Sequence, residues 1–347
     1  MNTVKAFLTK KNVIFSAHRY GIDAMAAMAQ GLFASLLIGT IISTLGKQLG
    51  MQFLIDAGGY AGAVAGPAMA VSIGYALQAS QLVLFSLIAV GAAANTLGGA
   101  GGPLAVYIIA IIACEIGKMV SKETKIDILV TPAVTILSGA GLAQLLAPGI
   151  GSIASSFGTL IMWATELQPF FMGMLVSVLV GVALTLPISS AAICAALGLT
   201  GLAGGAAVAG CCAQMVGFAV LSYKENGFGG LISQGLGTSM LQMPNVIKNP
   251  KVWIAPTLAS AITGPLATCV FHFANNGPAV SSGMGTCGLV GPIGVYTGWA
   301  EEGRLITGMD WLAMALICII LPAVLTWFFG RIERRLGWIK VDDLKLQ

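Results

Sequence analysis

Long apolar runs alternate with short polar or glycine-rich breaks along nearly the whole chain. After a polar, basic start over residues 1–22, apolar runs occupy about 24–45, 53–77, 82–94, 104–116, 126–148, 170–186, 191–221, 252–274 and 311–329. Many of these runs approach the ~20 residues that a helix needs to cross a bilayer, so they predict spans rather than soluble amphipathic helices. A tenth piece at 152–165 is shorter and less hydrophobic, and predicts either a thin span or an interfacial helix. The fold class expected is an all-α polytopic membrane protein of about ten transmembrane helices with re-entrant helical hairpins. Three parts follow: an interfacial N-terminal segment (1–22), a transmembrane domain (23–330) and a C-terminal tail (331–347).

The breaks carry as much information as the runs. Within residues 261–294 stand three Gly-Pro pairs, Gly264-Pro265, Gly277-Pro278 and Gly291-Pro292. Proline removes a backbone donor and glycine adds freedom, so no continuous helix is expected there. Broken backbone at membrane depth survives only where protein buries it or where it lines a polar cavity. Between the breaks lie His272, Asn275, Asn276, Ser281, Ser282 and Thr286, all neutral hydrogen-bonding groups. Drawn as one helix, residues 257–276 place Thr257, Ser260, Gly264, Thr268, His272 and Asn275 on a single face. Packing between helices accounts for the Ser, Gly and Thr of that stripe. A His with two Asn is harder to assign to packing, because unsatisfied polar groups are costly in hydrocarbon. Discontinuous helices with polar groups near the midplane are what a transporter site requires.

Composition sharpens the class. Of 347 residues 57% are hydrophobic and 9% charged, with a mean hydropathy of +0.90. Soluble domains carry about 25% charged residues. The 46 glycines predict close helix packing through small residues. Lys5, Lys10, Lys11 and Arg19, then Lys118, Lys122 and Lys125, then Lys224, Lys248 and Lys251, and last Arg331, Arg334, Arg335 and Lys340 flank the spans. By the positive-inside rule these segments, and both termini, are expected to be cytoplasmic. That distribution orients spans and does not suggest nucleic acid. The first run is of full length and follows Asp23, so a span rather than a cleaved leader is expected. None of the seven cysteines has C-x-x-C spacing, and buried packing is expected for them.

Other polar residues divide between ordinary and functional readings. Glu115 stands three before Lys118 as an interfacial ion pair would, Asp310 begins the last helix as an N-cap, and Gln214 suits a helix–helix hydrogen bond. Glu166, with Gln168 and Pro169, ends a short helix at a depth suited to a substrate-contacting loop. Asn95 opens the Asn95–Pro103 glycine-rich loop, as a helix cap or a contributor to the site. Gly98–Gly102 lacks the Gly-Lys-Ser/Thr ending of a phosphate loop. No metal cluster, cofactor motif or catalytic triad is present, so neither cofactor nor metal is expected. Gly102-Pro103-Leu104-Ala105 and Gly264-Pro265-Leu266-Ala267 share one tetrapeptide, the trace an internal repeat would leave, although small residues also recur by chance.

The block AITGPLAT…NNGPA…SGMGTCGLVGPIG (261–294), together with the opening RYGIDAMAAMAQGLFASLLIGTIISTLG (19–46), resembles the membrane IIC component (EIIC) of bacterial phosphotransferase systems, most closely its PfoR-like subgroup. The resemblance implies an inner-membrane sugar permease, usually a homodimer, that binds and translocates a sugar while soluble or fused IIA and IIB units supply phosphate. Sites in such proteins commonly use a His and a Glu, for which His272 and Glu166 are the candidates here. The chain carries neither a fused IIA nor a fused IIB unit, so separate partners are expected. An uncoupled transporter of a small anion or metabolite, and a PfoR-like regulatory protein, are the other readings. The candidate substrate-binding residues are His272, Asn275, Asn276, Thr268, Ser281, Ser282, Thr286, Glu166 and Asn95. No residue is expected to carry phosphorylation chemistry.

Overall fold

The computed structural model describes residues 2–346, and among them no strand forms beyond one isolated bridge, Gly201 to Asn275. The chain makes two compact units, Met1–Ile153 and Ala154–Gln347.

In the first unit α1 (Asn2–Lys10) precedes a continuous apolar helix, Arg19–Leu49, in which α2 (Ala24–Leu32) and α3 (Ile38–Leu49) join through a π turn. Gly50, at φ +67°, ends it in the left-handed conformation that glycine adopts without strain. The expected span over 53–77 is two half-helices, α4 (Gln52–Ala63) and α5 (Ala65–Ala76), broken at Val64. Next come α6 (Gln81–Gly98) and α7 (Gly102–Val120), joined at Gly99, with Pro103 in the first turn of α7 where its missing N–H costs nothing. Backbones approach at Gly39 with Gly58 and at Gly66 with Gly91, too closely for any Cβ.

α8 (Asp127–Thr165) is one helix of 39 residues running through Pro132 and Pro148. A break at Pro148-Gly149 was the expectation. Proline deletes a single helical hydrogen bond, and in an apolar setting a fully opened turn would strand more of them. The 152–165 piece is therefore the end of this helix.

The second unit is built around α11 (Gly201–Leu221), whose apolar window is 94% buried. Before it come α9 (Pro169–Thr185) and the short α10 (Ser190–Leu197); after it come α12 (Tyr223–Ile232), α13 (Met243–Lys248), α14 (Ile254–Pro265), α15 (Val290–Glu301), α16 (Gly308–Ala315) and α17 (Leu321–Arg335). α9, α14 and α17 pack on α11. Gly173 meets Gly264, and Gly181 meets Gly210, at backbone distance. Two GPLA copies occupy different settings, one at the start of α7 and one where α14 passes into a π turn.

Among the described residues six continuous helices are long and apolar enough to cross a membrane, with α9 a shorter apolar helix. The chain is a multi-pass, all-α membrane protein. Large apolar side chains such as Ile128, Leu137 and Leu145 are more than two-thirds exposed on α8, a surface suited to lipid. Glu115 and Lys118 do form the expected pair, at 2.9 Å, but both are buried rather than interfacial. Asp310 is the third residue of a capping box whose cap is Thr307. Six cysteines are buried and Cys269 is exposed, on the side of the Leu266–Val270 π turn opposite the buried Ala267 and Thr268.

Beyond α17 the chain folds back onto the 222–249 region. Asn226 and Gln242 donate to the Leu344 carbonyl at 2.8 and 2.9 Å, Asn245 donates to Lys345 O at 3.0 Å, and Asn249 donates to Trp338 O at 2.8 Å. Ile339 and Leu344 are buried with Phe218, Val246 and Val252. Leu344→Ala is expected to cost about 2–5 kcal/mol, as a fully buried leucine does. Chemical unfolding in detergent measures it, and a cost within 0.5 kcal/mol would show that the docked segment is not part of the cooperative core.

Candidate functional site

Two segments of the second unit interrupt the helices, residues 186–200 and 271–289. In the first, Ser189 caps α10 by accepting from Ala192 N at 3.2 Å, and Gly198 closes it at φ +60°. In the second, the helix ends at Val270, His272 turns the chain at φ +45°, and 3₁₀ turns at Ala279–Gly283 and Cys287–Leu289 lead into α15. The wheel drawn through 276 therefore stops at 270, and His272 and Asn275 leave its face.

The two segments lock into each other. Gly201 N donates to Asn275 O at 2.8 Å and Asn275 N returns a bond to Gly201 O at 2.9 Å. Ser190 Oγ donates to Gly283 O, and Ser282 Oγ donates to Leu199 O, both at 2.7 Å. The reciprocal serines belong to Pro187-Ile-Ser-Ser190 and Pro278-Ala-Val-Ser-Ser282. That echo is the sequence signal for the crossing, and the shared GPLA tetrapeptide is not part of it. Glycine is required where the backbones touch: a Cβ on Gly205 would overlap the Phe273 carbonyl, and one on Gly283 would meet Ser190.

The candidates divide by where their polar atoms go. Asn275 is fully buried; its amide donates to Ser281 Oγ at 3.0 Å and Ser282 Oγ at 2.7 Å, and its Oδ1 accepts from Gly277 N at 3.3 Å. Ser281 Oγ donates to Pro278 O at 2.6 Å. Thr286, also buried, donates to Met215 Sδ at 3.7 Å. Thr268 reaches Pro169 O at 2.8 Å, tying the 264–270 turn to the connection that begins at Glu166. Asn275 and Ser281 thus brace the 271–289 segment internally, Thr286 ties it to α11, and Thr268 anchors the turn before it.

His272, Asn276 and Glu166 are exposed. Asn276 Nδ2 donates to Glu302 Oε1 at 2.7 Å, which brings an exposed carboxylate at the end of α15 to the edge of the 271–278 segment. Glu302 was not a sequence candidate. Its contact spans 26 residues and leaves no periodic trace. Asn95 lies in the first unit, half-buried on α6, with its side chain packed where Gly102 lacks a Cβ. Among the described residues no three His, Cys, Asp or Glu side chains converge as metal ligands would.

The family described as Phosphotransferase system, EIIC matches residues 22–346. The chain belongs to that family. Neither a curated protein nor a solved structure matches it. This EIIC chain is accordingly the membrane permease component of a phosphotransferase system, and the matched region includes both crossing segments and the folded-back C-terminal stretch.

Behind the EIIC crossing, the polar stripe of α14 is consumed by packing. Gln214 on α11 donates to Thr257 Oγ1 at 3.3 Å and Ser260 Oγ at 3.4 Å, and accepts from Trp253 Nε1 at 2.9 Å. Ser177 on α9 donates to Ser260 O at 2.7 Å. These bonds satisfy buried groups and rigidify the wall on which the crossing rests.

Proposed function

We propose that this EIIC protein binds a sugar or sugar-like metabolite beside the crossed segments and translocates it by alternating access. Separate IIA and IIB proteins supply phosphate, and the protein works as a homodimer in a bacterial cytoplasmic membrane with both termini on the cytoplasmic side. The observation that carries the reading is the exposed Asn276–Glu302 contact, which joins the end of α15 to the broken 271–278 segment that also exposes His272. A carboxylate accepts from sugar hydroxyls, while amide and imidazole groups both donate and accept, so the three suit a polyhydroxylated neutral ligand. Glu302 would repel an anion, which favours the sugar over the small-anion alternative. Asn275, Ser281, Ser282, Thr268 and Thr286 shape the site by fixing the loop, and Glu166 extends it. Glycines at the breaks serve as hinges.

A thermal-shift screen of purified protein against sugars, polyols and organic acids tests the proposal. A ligand at about 100 times its dissociation constant should stabilise by about 2.7 kcal/mol. The expected result is a sugar hit that Asn276→Ala and Glu302→Gln each weaken at least tenfold (~1.4 kcal/mol). A hit on acids alone, or a sugar hit unchanged in both variants, overturns it.

A further inference from the structure

Where α11 and α17 reach their polar ends, a cavity of about 350 Å³ opens beside Leu221 and Gly330. Its inner wall is apolar, from Val220, Leu221, Leu231 and the face of Trp327, and its lip carries Lys224, Arg331 and Arg334. These cations are not equivalent. Arg334 is bound to both oxygens of Glu225, at 2.8 and 3.1 Å, and to Leu221 O at 3.0 Å. Lys224 makes no ion pair or hydrogen bond among the described residues, and Arg331 makes only a ring contact, 4.9 Å from the Trp327 centroid. Tyr223 and Trp327 are both about half exposed. Aromatic residues at this level mark the boundary between hydrocarbon and headgroups.

We infer that this cavity is a site for an anionic glycerophospholipid. The phosphate sits between Lys224 and Arg331, and the start of one acyl chain lies against Val220, Leu231 and Trp327. An apolar cleft with two uncompensated cations at its mouth matches such a lipid in both halves. A zwitterionic lipid brings its own cation to the lip, and a free phosphate leaves the apolar wall uncovered. Basic pockets between spanning helices recognise headgroups in this way.

The test is thermal unfolding of the detergent-purified chain with phosphatidylglycerol, phosphatidylcholine or inorganic phosphate at equal concentrations. Phosphatidylglycerol is expected to raise the midpoint, and the other two are not. Lys224→Ala and Arg331→Ala should each weaken the response about 5-fold, given what one cation contributes near a charged headgroup. Arg335→Ala, outside the cavity, should leave it unchanged. Leu231→Trp, which fills the apolar half without altering charge, should abolish it. Equal shifts with phosphatidylcholine, a shift reproduced by phosphate, or a response that survives both charge variants and Leu231→Trp overturns the inference.

Discussion

Lys118→Met is expected to lower the unfolding free energy by about 3–5 kcal/mol, the usual cost of breaking one side of a buried ion pair. Lys118 is 4% exposed and Glu115 7%. The ammonium pairs with Glu115 at 2.9 Å and also donates to Asn12 O at 2.8 Å and Leu77 O at 3.0 Å, so its hydrogens are fully used. Without it Glu115 keeps a buried charge with no counterion. Arg19 does not replace it, being engaged by Asn12 Oδ1 at 3.0 Å and Leu77 O at 2.5 Å. The double variant Glu115→Leu, Lys118→Met removes both charges and should recover most of the loss, since apolar replacements of buried pairs are often neutral. Denaturant titration in detergent compares them. Equal losses in the single and double variants would show that the charge is not what matters.

Gly205→Ala should have the largest effect on transport. The added Cβ would overlap the Phe273 carbonyl, which is backbone and not a flexible side-chain end. Phe273 has little room to retreat. Its ring meets Trp299 edge-on at 5.6 Å, its N–H bonds to Ala267 O at 2.8 Å, and two residues later Asn275 is bridged to Gly201. Overpacking of this kind costs about 1–3 kcal/mol or more, and the displacement would part the two crossing segments. Substrate uptake into vesicles is therefore expected to fall at least tenfold (~1.4 kcal/mol in the barrier). Gly149→Ala is the control: nothing lies within 4 Å of its Cβ, and it sits inside α8. Alanine there should stabilise by about 0.5–1 kcal/mol. Uptake unchanged in Gly205→Ala would show that the close approach at Phe273 is dispensable.

The apolar runs and the broken 271–289 region were legible in the chain itself, whereas the 191–221 run, expected as one span, is divided at residues 198–200 into α10 and α11. Hydrophobic run length is a local property, and so is the disruption caused by Gly277-Pro278 or Gly291-Pro292, because in lipid each backbone group needs a partner within its own helix. The family resemblance was readable for the same reason, since its marks lie in continuous blocks. The fate of each polar side chain was not. Asn275 and Asn276 are adjacent and chemically identical, yet one is buried on two serines and the other stands exposed against Glu302. Asn226 meets Leu344 across 118 residues, and Lys118 meets Asn12 across 106. Proline at 148 signalled a break that helix bonding on either side overrode. Sequence alone determined that this protein crosses a membrane and that its helices fail around Gly277-Pro278 and Gly291-Pro292. Only the tertiary structure decided which polar groups are used up in holding those failures together and which are left for a ligand, because a hydrogen-bond partner is chosen by proximity in space.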